Sequence, residues 1–330
     1  MTECFNRRHC GGAASGRRCR GELRLIYIAA LIALLGPAIA SAGKRRKTQQ
    51  AHPHPSLWTY RVVADYPHDP KAFTQGLQFD RECDDDNKTC FDIFWESTGL
   101  NGRSSIRQVE LATGTVRRQR DFPYEHFGEG STRLGDTLYM ITWRTGQGFK
   151  ISLDLQQVEP IDTGLGDGWG LTNDGTHLIA SESSQVIHWL DPDTMQEVRR
   201  IQVTDRGHPI RWLNELEVVE GELWGNVWQT ECIARVDMQT GLVKGWIHLH
   251  GLREGLIRQG LAHDREMDVL NGMAAGVGVG IAYDPSTRRL FLTGKLWPRV
   301  FEVEVVPFPE GQAPPLSAVD RLCWPPHTNF

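Results

Sequence analysis

One short phrase returns five times along the chain, with different polar residues at the same places: Phe73-Thr74-Gln75-Gly76-Leu77, Phe127-Gly128-Glu129-Gly130, Gly168-Trp169-Gly170-Leu171, Leu213-Asn214-Glu215-Leu216 and Leu270-Asn271-Gly272. Each is followed by an alternating strand pattern, a turn and a second strand pattern. Four of the five second strands carry a tryptophan at or near their ends, at Trp95, Trp143, Trp228 and Trp297. An imperfect repeat of about 40 to 55 residues built from short strands is the signature of a β-propeller. In that architecture equivalent positions of every unit converge on one axis. The polar residues that vary between copies therefore meet in one place.

A second marker recurs between strands: Glu110-Leu111-Ala112-Thr113-Gly114, Asp154-Leu155, Asp191-Pro192-Asp193-Thr194, Asp237-Met238-Gln239-Thr240-Gly241 and Asp284-Pro285-Ser286-Thr287, about 37 to 47 residues apart. An acidic residue opening a turn and a glycine closing it follow from Asx-type hydrogen bonding and a positive φ. The flanking runs alternate as half-buried strands do, for example Ile106-Arg107-Gln108-Val109-Glu110-Leu111. Both markers count five units. The expected fold is all-β, a five-bladed propeller over residues 58–330 that ends in a Pro-rich tail. A β-sandwich with chance turn similarity is the competing architecture. The 330 residues, 40% of them hydrophobic, are ample for one such domain.

The N-terminus reads as a targeting segment over residues 1–42. Six arginines precede an apolar run from Leu25 to Ala40, and Ala40-Ser41-Ala42 forms a small-x-small cleavage site. A retained signal anchor is the alternative, since the run just suffices to span a bilayer. Either reading places the body in the secretory pathway, secreted or membrane-anchored. Residues 43–57 read as a polar basic linker. Removing residues 1–42 takes away six positive and two negative charges, which leaves the body at −9. That balance gives no support for nucleic-acid binding. Four cysteines remain in the body, Cys83, Cys90, Cys232 and Cys323, and allow three pairings. Cys83 and Cys90 bracket a hairpin tip, where Asn87-Lys88-Thr89 is a glycosylation acceptor. Cys232–Cys323 follows by elimination. No CxxC or paired-histidine spacing points to a metal site.

The starts of the inner strands rim one channel mouth. They bring Gln75, Glu129, Trp169, Asn214 and Asn271 together, and the loops after the second strands add Trp143, Trp228, Lys295 and Trp297. This set offers a carboxylate, an ammonium, amides and indoles, without a serine or cysteine nucleophile beside a base. It suits a reaction that needs proton transfer and oxyanion stabilisation but no covalent intermediate. Cyclisation within a substrate is such a reaction, because the attacking group is already attached. The fifth copy differs from the rest: Met273-Ala274-Ala275-Gly276-Val277-Gly278-Val279-Gly280 separates its phrase from the strand Ile281-Ala282-Tyr283 and reads as an insertion near the site.

Many of these stretches, in order, resemble the plant-type glutaminyl-peptide cyclotransferases. They include FTQGL (73–77), ESTGLNGRSSIRQVEL (96–111), FGEG (127–130), YMITWRTGQGF (139–149), GDGWGLTNDG (166–175), LNELEV (213–218), GNVWQT (225–230), DVLNG (268–272) and IAYDPSTRRLFLTGKLWPRVFEV (281–303). The likeness covers most of residues 58–305. It implies a five-bladed propeller that converts an N-terminal glutamine of a peptide into pyroglutamate and releases ammonia, with no cofactor or catalytic metal. By motif it puts the family's functional residues on Phe73, Gln75, Phe127, Glu129, Trp143, Trp169, Asn214, Trp228 and Lys295. Peptides or proteins that begin with glutamine are the expected partners, and a monomer is the expected state. Two rival readings remain at this level. One is a calcium-dependent, lactonase-like propeller using Glu129, Asn214 and Asn271 as oxygen ligands; the other is a binding propeller without catalysis.

Overall fold

The computed structural model describes residues 54–83, 88–261 and 279–325. The targeting segment, most of the linker, Asn87, Asn271 and residues 273–278 lie outside them. The described chain is all-β with two short helices. Three sheets are four-stranded meanders. The first runs β2 (Thr74–Cys83), β3 (Cys90–Thr98), β4 (Ser105–Glu110) and β5 (Val116–Asp121). The second runs β6 (Gly128–Leu134), β7 (Thr137–Thr142), β8 (Gln147–Ser152) and β9 (Val158–Asp162), and the third β10 (Gly168–Asn173), β11 (Leu178–Glu182), β12 (Val186–Leu190) and β13 (Glu197–Gln202). A two-stranded ribbon follows, β14 (Thr204–Asp205) and β15 (His208–Pro209).

The remaining strands form one eight-stranded sheet. It joins the meander β16 (Leu213–Val219), β17 (Glu222–Val227), β18 (Cys232–Asp237), β19 (Val243–His248) to the meander β20 (Val279–Asp284), β21 (Arg289–Gly294), β22 (Arg299–Pro307). The link between them is the first strand of the chain, β1 (Ser56–Pro67), parallel to β19 and antiparallel to β22. The strand thus starts at Ser56, inside the stretch expected to be linker, because Ser56 and Leu57 pair with Gly245 and Trp246 of β19.

The first strands of the meanders pack side by side in a closed cycle, β2 to β6 to β10 to β16 to β20 and back to β2. Glycine sets the spacing. A Cβ on Gly76 would lie 2.5 Å from the Ser131 nitrogen, one on Gly130 2.2 Å from that of Leu171, and one on Gly170 1.9 Å from the Asn214 carbonyl oxygen. Only a residue without a side chain lets the neighbouring backbone approach so closely. Hydrophobic clusters fill the wedges between successive sheets. Trp95 and Ile106 meet Met140 and Phe149 in one, and Leu77 and Phe94 meet Phe291 in the wedge that returns to the start. Burial of these side chains is the main stabilising term.

Two expectations change. Four of the Asp/Gly turns join the third and fourth strands of a meander, but Asp284-Thr287 joins β20 to β21, the first and second. The second marker therefore counts four equivalent turns. The fifth resembles them because Asp284 makes the same Asx hydrogen bonds, to the Ser286 and Thr287 amides. The Pro-rich tail, in turn, contains a helix. After Pro314-Pro315 it forms α2 (Leu316–Cys323), the helix that follows α1 (Leu252–Arg258). The Cys232–Cys323 disulfide fastens it to β18, and Cys83–Cys90 closes the β2–β3 hairpin as expected. Trp324 stacks on His208 at 4.0 Å, and its indole N–H donates to Asp205 Oδ2 at 3.0 Å.

Candidate active site

Strand register sorts the site residues into three rings. The pairs Thr74–Thr98, Gly128–Thr142, Gly168–Glu182, Leu213–Val227 and Val279–Gly294 are equivalent positions in successive hairpins. One residue into each first strand stand Gln75, Glu129, Trp169, Asn214 and Gly280. One residue before it, in the described hairpins, stand Phe73, Phe127, Asp167 and Trp212. One residue after each second strand stand Gly99, Trp143, Ser183, Trp228 and Lys295. In the first four hairpins the register shifts just after this point, so each strand bulges as it begins. A bulge re-aims a side chain out of the regular alternation. Here it accompanies the turn of Gln75, Glu129, Trp169 and Asn214 toward one cavity.

That cavity opens to solvent and, with the open space at its mouth, spans about 640 Å³. Gln75, Glu129 and Asn214 form its polar floor, each about 95% buried. The walls are aromatic. The Phe73 and Phe127 rings meet edge to face at 6.0 Å, Phe127 and Trp143 at 5.7 Å, and Trp169 and Trp228 at 5.6 Å. Gly99 is small because a Cβ there would strike the Phe127 ring at 2.4 Å. Lys295 enters over the face of Phe73, its Nζ 5.3 Å from the ring centre.

Gln75 Nε2 donates to Glu129 Oε1 at 2.9 Å. Burial pushes the Glu129 carboxyl well above the usual carboxylate range; Lys295 pulls it back, and the Asp167 charge adds to the rise. Burial pulls Lys295 below the ordinary lysine value, while the carboxylates of Glu129 and Glu215 oppose that fall. Burial thus raises the carboxyl and lowers the ammonium of two groups whose charges attract each other. Such opposed displacements mark candidate functional groups.

Glu215 occupies the position that glycine holds in the first three copies. Its carboxylate crosses to β2 and accepts the Leu77 amide proton at 2.6 Å, while its own amide is held by Asn226 Oδ1 at 2.8 Å. The departure from the repeat is thus a tie between two strands of the cycle.

One expected site residue falls elsewhere, and another is not among the described residues. Trp297 is 2% exposed and packs edge to face on Phe301, off the cavity. Leu296 adopts a positive φ of 64°, and the Trp297 ring folds back over Gly294, where a Cβ would lie 2.4 Å from it. Lys295 therefore points in and Trp297 points into the core. Asn271 lies outside the described residues; at the register position expected for it stands Gly280, whose Cβ would meet Leu77 and Thr293. The last two residues of the expected insertion, Val279 and Gly280, belong to β20.

Three further residues line the cavity: Arg144, Asp167 and Ser183. Arg144 lies over the Trp143 ring at 4.4 Å, and Asp167 Oδ1 accepts the Trp169 indole proton at 3.3 Å. Asp167 sits two residues before Trp169, as Phe127 sits two before Glu129. Aligning the phrase one residue further back would have found it, and counting one past each second strand would have found Ser183.

Residues 33–305 match the family model for glutamine cyclotransferase. The glutaminyl-peptide cyclotransferase of Arabidopsis thaliana is 42% identical over 245 residues, covering 74% of this chain and 70% of that protein. The crystal structure of Myxococcus xanthus glutaminyl cyclase superposes with a TM-score of 0.65 at 30% identity, covering 77% of this chain and 99% of that one. A match that spans both the repeats and the cavity they build is a family relationship, and the chain belongs to the glutamine cyclotransferase family.

Proposed function

We propose that this chain is a glutaminyl-peptide cyclotransferase built as a five-bladed β-propeller. It converts the N-terminal glutamine of peptides or proteins into pyroglutamate and releases ammonia. The observation that carries this reading is the buried Glu129 carboxyl, held by the Gln75 amide in an aromatic cavity beside the Lys295 ammonium. The architecture is supported by the closed cycle of five first strands, with β1 completing the last meander.

The substrate's α-amine nitrogen attacks its own γ-carboxamide carbon. A C–N bond forms to close the five-membered ring, and the bond from that carbon to the amide nitrogen breaks. Glu129 accepts the proton that the amine nitrogen sheds and returns it to the departing nitrogen, which leaves as ammonia. A carboxyl raised by burial is matched to both steps. Lys295, Asn214 and Gln75 orient the carboxamide and offset the negative charge that grows on its oxygen. Phe73, Phe127, Trp143, Trp169 and Trp228 keep the α-amine and carboxamide out of bulk water. The calcium reading is disfavoured by the donor set, because the place for a cation beside Glu129 is taken by Lys295.

The same reading places the chain in the secretory pathway, secreted or anchored, as a monomer with a glycan on Asn87. Two disulfides support an oxidising compartment. An ammonia-release assay on a glutamine-initial peptide tests the activity. Turnover that survives chelator and disappears in Glu129→Gln is expected; no release by the wild-type protein, or release abolished by chelator, refutes it. Expression of the full chain in a secretory host, with and without glycosidase, tests the compartment by a shift in mass.

A further inference from the structure

Outside the cavity, a buried charged cluster has no role in the reaction. His68 precedes β2, Glu96 lies on β3 and Arg107 on β4, each more than 90% buried. His68 Nε2 lies 2.9 Å from Glu96 Oε1, and His68 Nδ1 lies 2.6 Å from the Trp297 carbonyl oxygen. Glu96 also accepts from Thr74 Oγ1 at 2.6 Å and from Arg107 Nε at 2.8 Å, and Arg107 Nη1 reaches Asp69 at 3.0 Å. Both partners of the imidazole are acceptors, so both ring nitrogens donate. A neutral imidazole has one N–H and cannot do this. The cluster therefore holds an imidazolium between a carboxylate and a carbonyl.

The carbonyl belongs to the turn that carries Lys295. Two backbone bonds lie beside it, from the His68 amide to the Pro298 carbonyl at 3.0 Å and from the Leu296 amide to the Ala72 carbonyl at 2.7 Å. The segment leading into Phe73 and the turn bearing Lys295 are thus zipped together, with the imidazolium as the one charged link.

We propose that His68 is a positioning residue for Lys295: its imidazolium, fixed by Glu96, clamps the Trp297 carbonyl and so sets where the ammonium stands over Phe73. This rests on the role of Lys295 given above. The groups that face the imidazole are Glu96 from β3, Arg107 from β4 and the Thr293 hydroxyl from β21, at 3.5 Å from Nδ1. Burial works against the charged imidazole, but Glu96 outweighs it and the group titrates above the ordinary histidine range. Loss of one proton leaves a single N–H, which the Glu96 carboxylate, a stronger acceptor than a carbonyl, retains on Nε2; the Nδ1 lone pair then meets the Trp297 carbonyl oxygen, and the clamp opens.

The test compares His68→Asn, His68→Ala and Lys295→Met with wild type in steady-state turnover of a glutamine-initial peptide from about pH 6 to about pH 10. The asparagine amide can donate to the Trp297 carbonyl at every pH; alanine cannot. Alanine is expected to lower kcat by about tenfold or more, as misplacement of a charged group does, and asparagine to recover most of it. The ratio of wild-type to His68→Asn kcat/KM cancels the ionisations both proteins share, including those of Lys295 and the substrate amine. It is expected to be level at low pH and to fall on the alkaline side. A role confined to folding leaves that ratio level, and a level ratio overturns the proposal even where the alanine variant fails to fold. Should Lys295→Met keep full turnover, the role of Lys295 fails and this proposal with it. Should Lys295→Met be inactive while both His68 variants match wild type at every pH, Lys295 stands and His68 has no positioning role.

Discussion

Glu217→Gln should stabilise this protein increasingly as pH rises. Glu217 lies on β16, 8% exposed. It accepts the Tyr283 amide proton at 3.2 Å through Oε1 and meets the Thr172 hydroxyl at 3.2 Å through Oε2. Burial outweighs these bonds and pushes its carboxyl from 4.5 up to about 8. A carboxyl whose folded value is raised contributes stability that is fully present below its unfolded value and is lost as pH rises through the folded one. At about 1.4 kcal/mol per tenfold step in acidity, the full loss is about 5 kcal/mol, and about 3 kcal/mol of it is already gone at pH 7. Glutamine has no such titration and fits the same partners: Oε1 accepts from Tyr283, and Nε2 donates to the Thr172 oxygen. The stability gained by the variant should therefore be near zero at about pH 4, about 3 kcal/mol at pH 7 and about 5 kcal/mol above pH 9. Urea unfolding followed by tryptophan fluorescence, with the disulfides intact, measures this at each pH. A difference that stays constant from pH 4 to pH 9, or a wild type that is the more stable at alkaline pH, would show that Glu217 is not held neutral in the fold.

Glu129→Gln should lower kcat by about 10²-fold to 10⁴-fold, the usual range for a lost general base, with the unfolding midpoint within about 1 kcal/mol of wild type or higher; steady-state ammonia release and circular dichroism check the two halves. Gly170→Ala should cost at least about 2 kcal/mol, since the new Cβ would lie 1.9 Å from the Asn214 carbonyl oxygen and only backbone movement can relieve it. The same change should impair turnover through Asn214, which a kinetic comparison at permissive temperature reveals. Replacing Cys232 and Cys323 together by serine opens a loop of 91 residues and should cost about 5 kcal/mol by the chain-entropy relation, measured as a shift in the urea midpoint.

The polar residues of the floor were legible because a repeated phrase displays its own variable positions. Gln75, Glu129, Trp169 and Asn214 stand one residue into equivalent strands, and the period alone aligns them. Glu215 was visible as a departure from glycine, but its purpose was not: the Leu77 amide it holds is 138 positions away in sequence. Trp297 departs from the expected place for a local reason. It lies beside Lys295 in sequence, and only the positive φ at Leu296 sends the two side chains to opposite sides. The fifth Asp turn was misjudged because Asx bonding looks the same whichever pair of strands it joins.

Local chemistry is written along the chain, so the strand repeat, the all-β class, the hairpin disulfide and the residues at the mouth of the first four hairpins can be read without the fold. What depends on distance across the cycle is set by packing. Packing joined β1 to the last meander and folded the Pro-rich tail back to Cys232. It buried Glu129 and Lys295 deeply enough to raise the one and lower the other. It also brought His68 under the Lys295 turn, 229 residues away from its partner Trp297. Periodicity reports which positions are equivalent. Desolvation and long-range hydrogen bonds arise only once those positions are packed together, and in this protein they shift the titration of Glu129 and Lys295 in opposite directions.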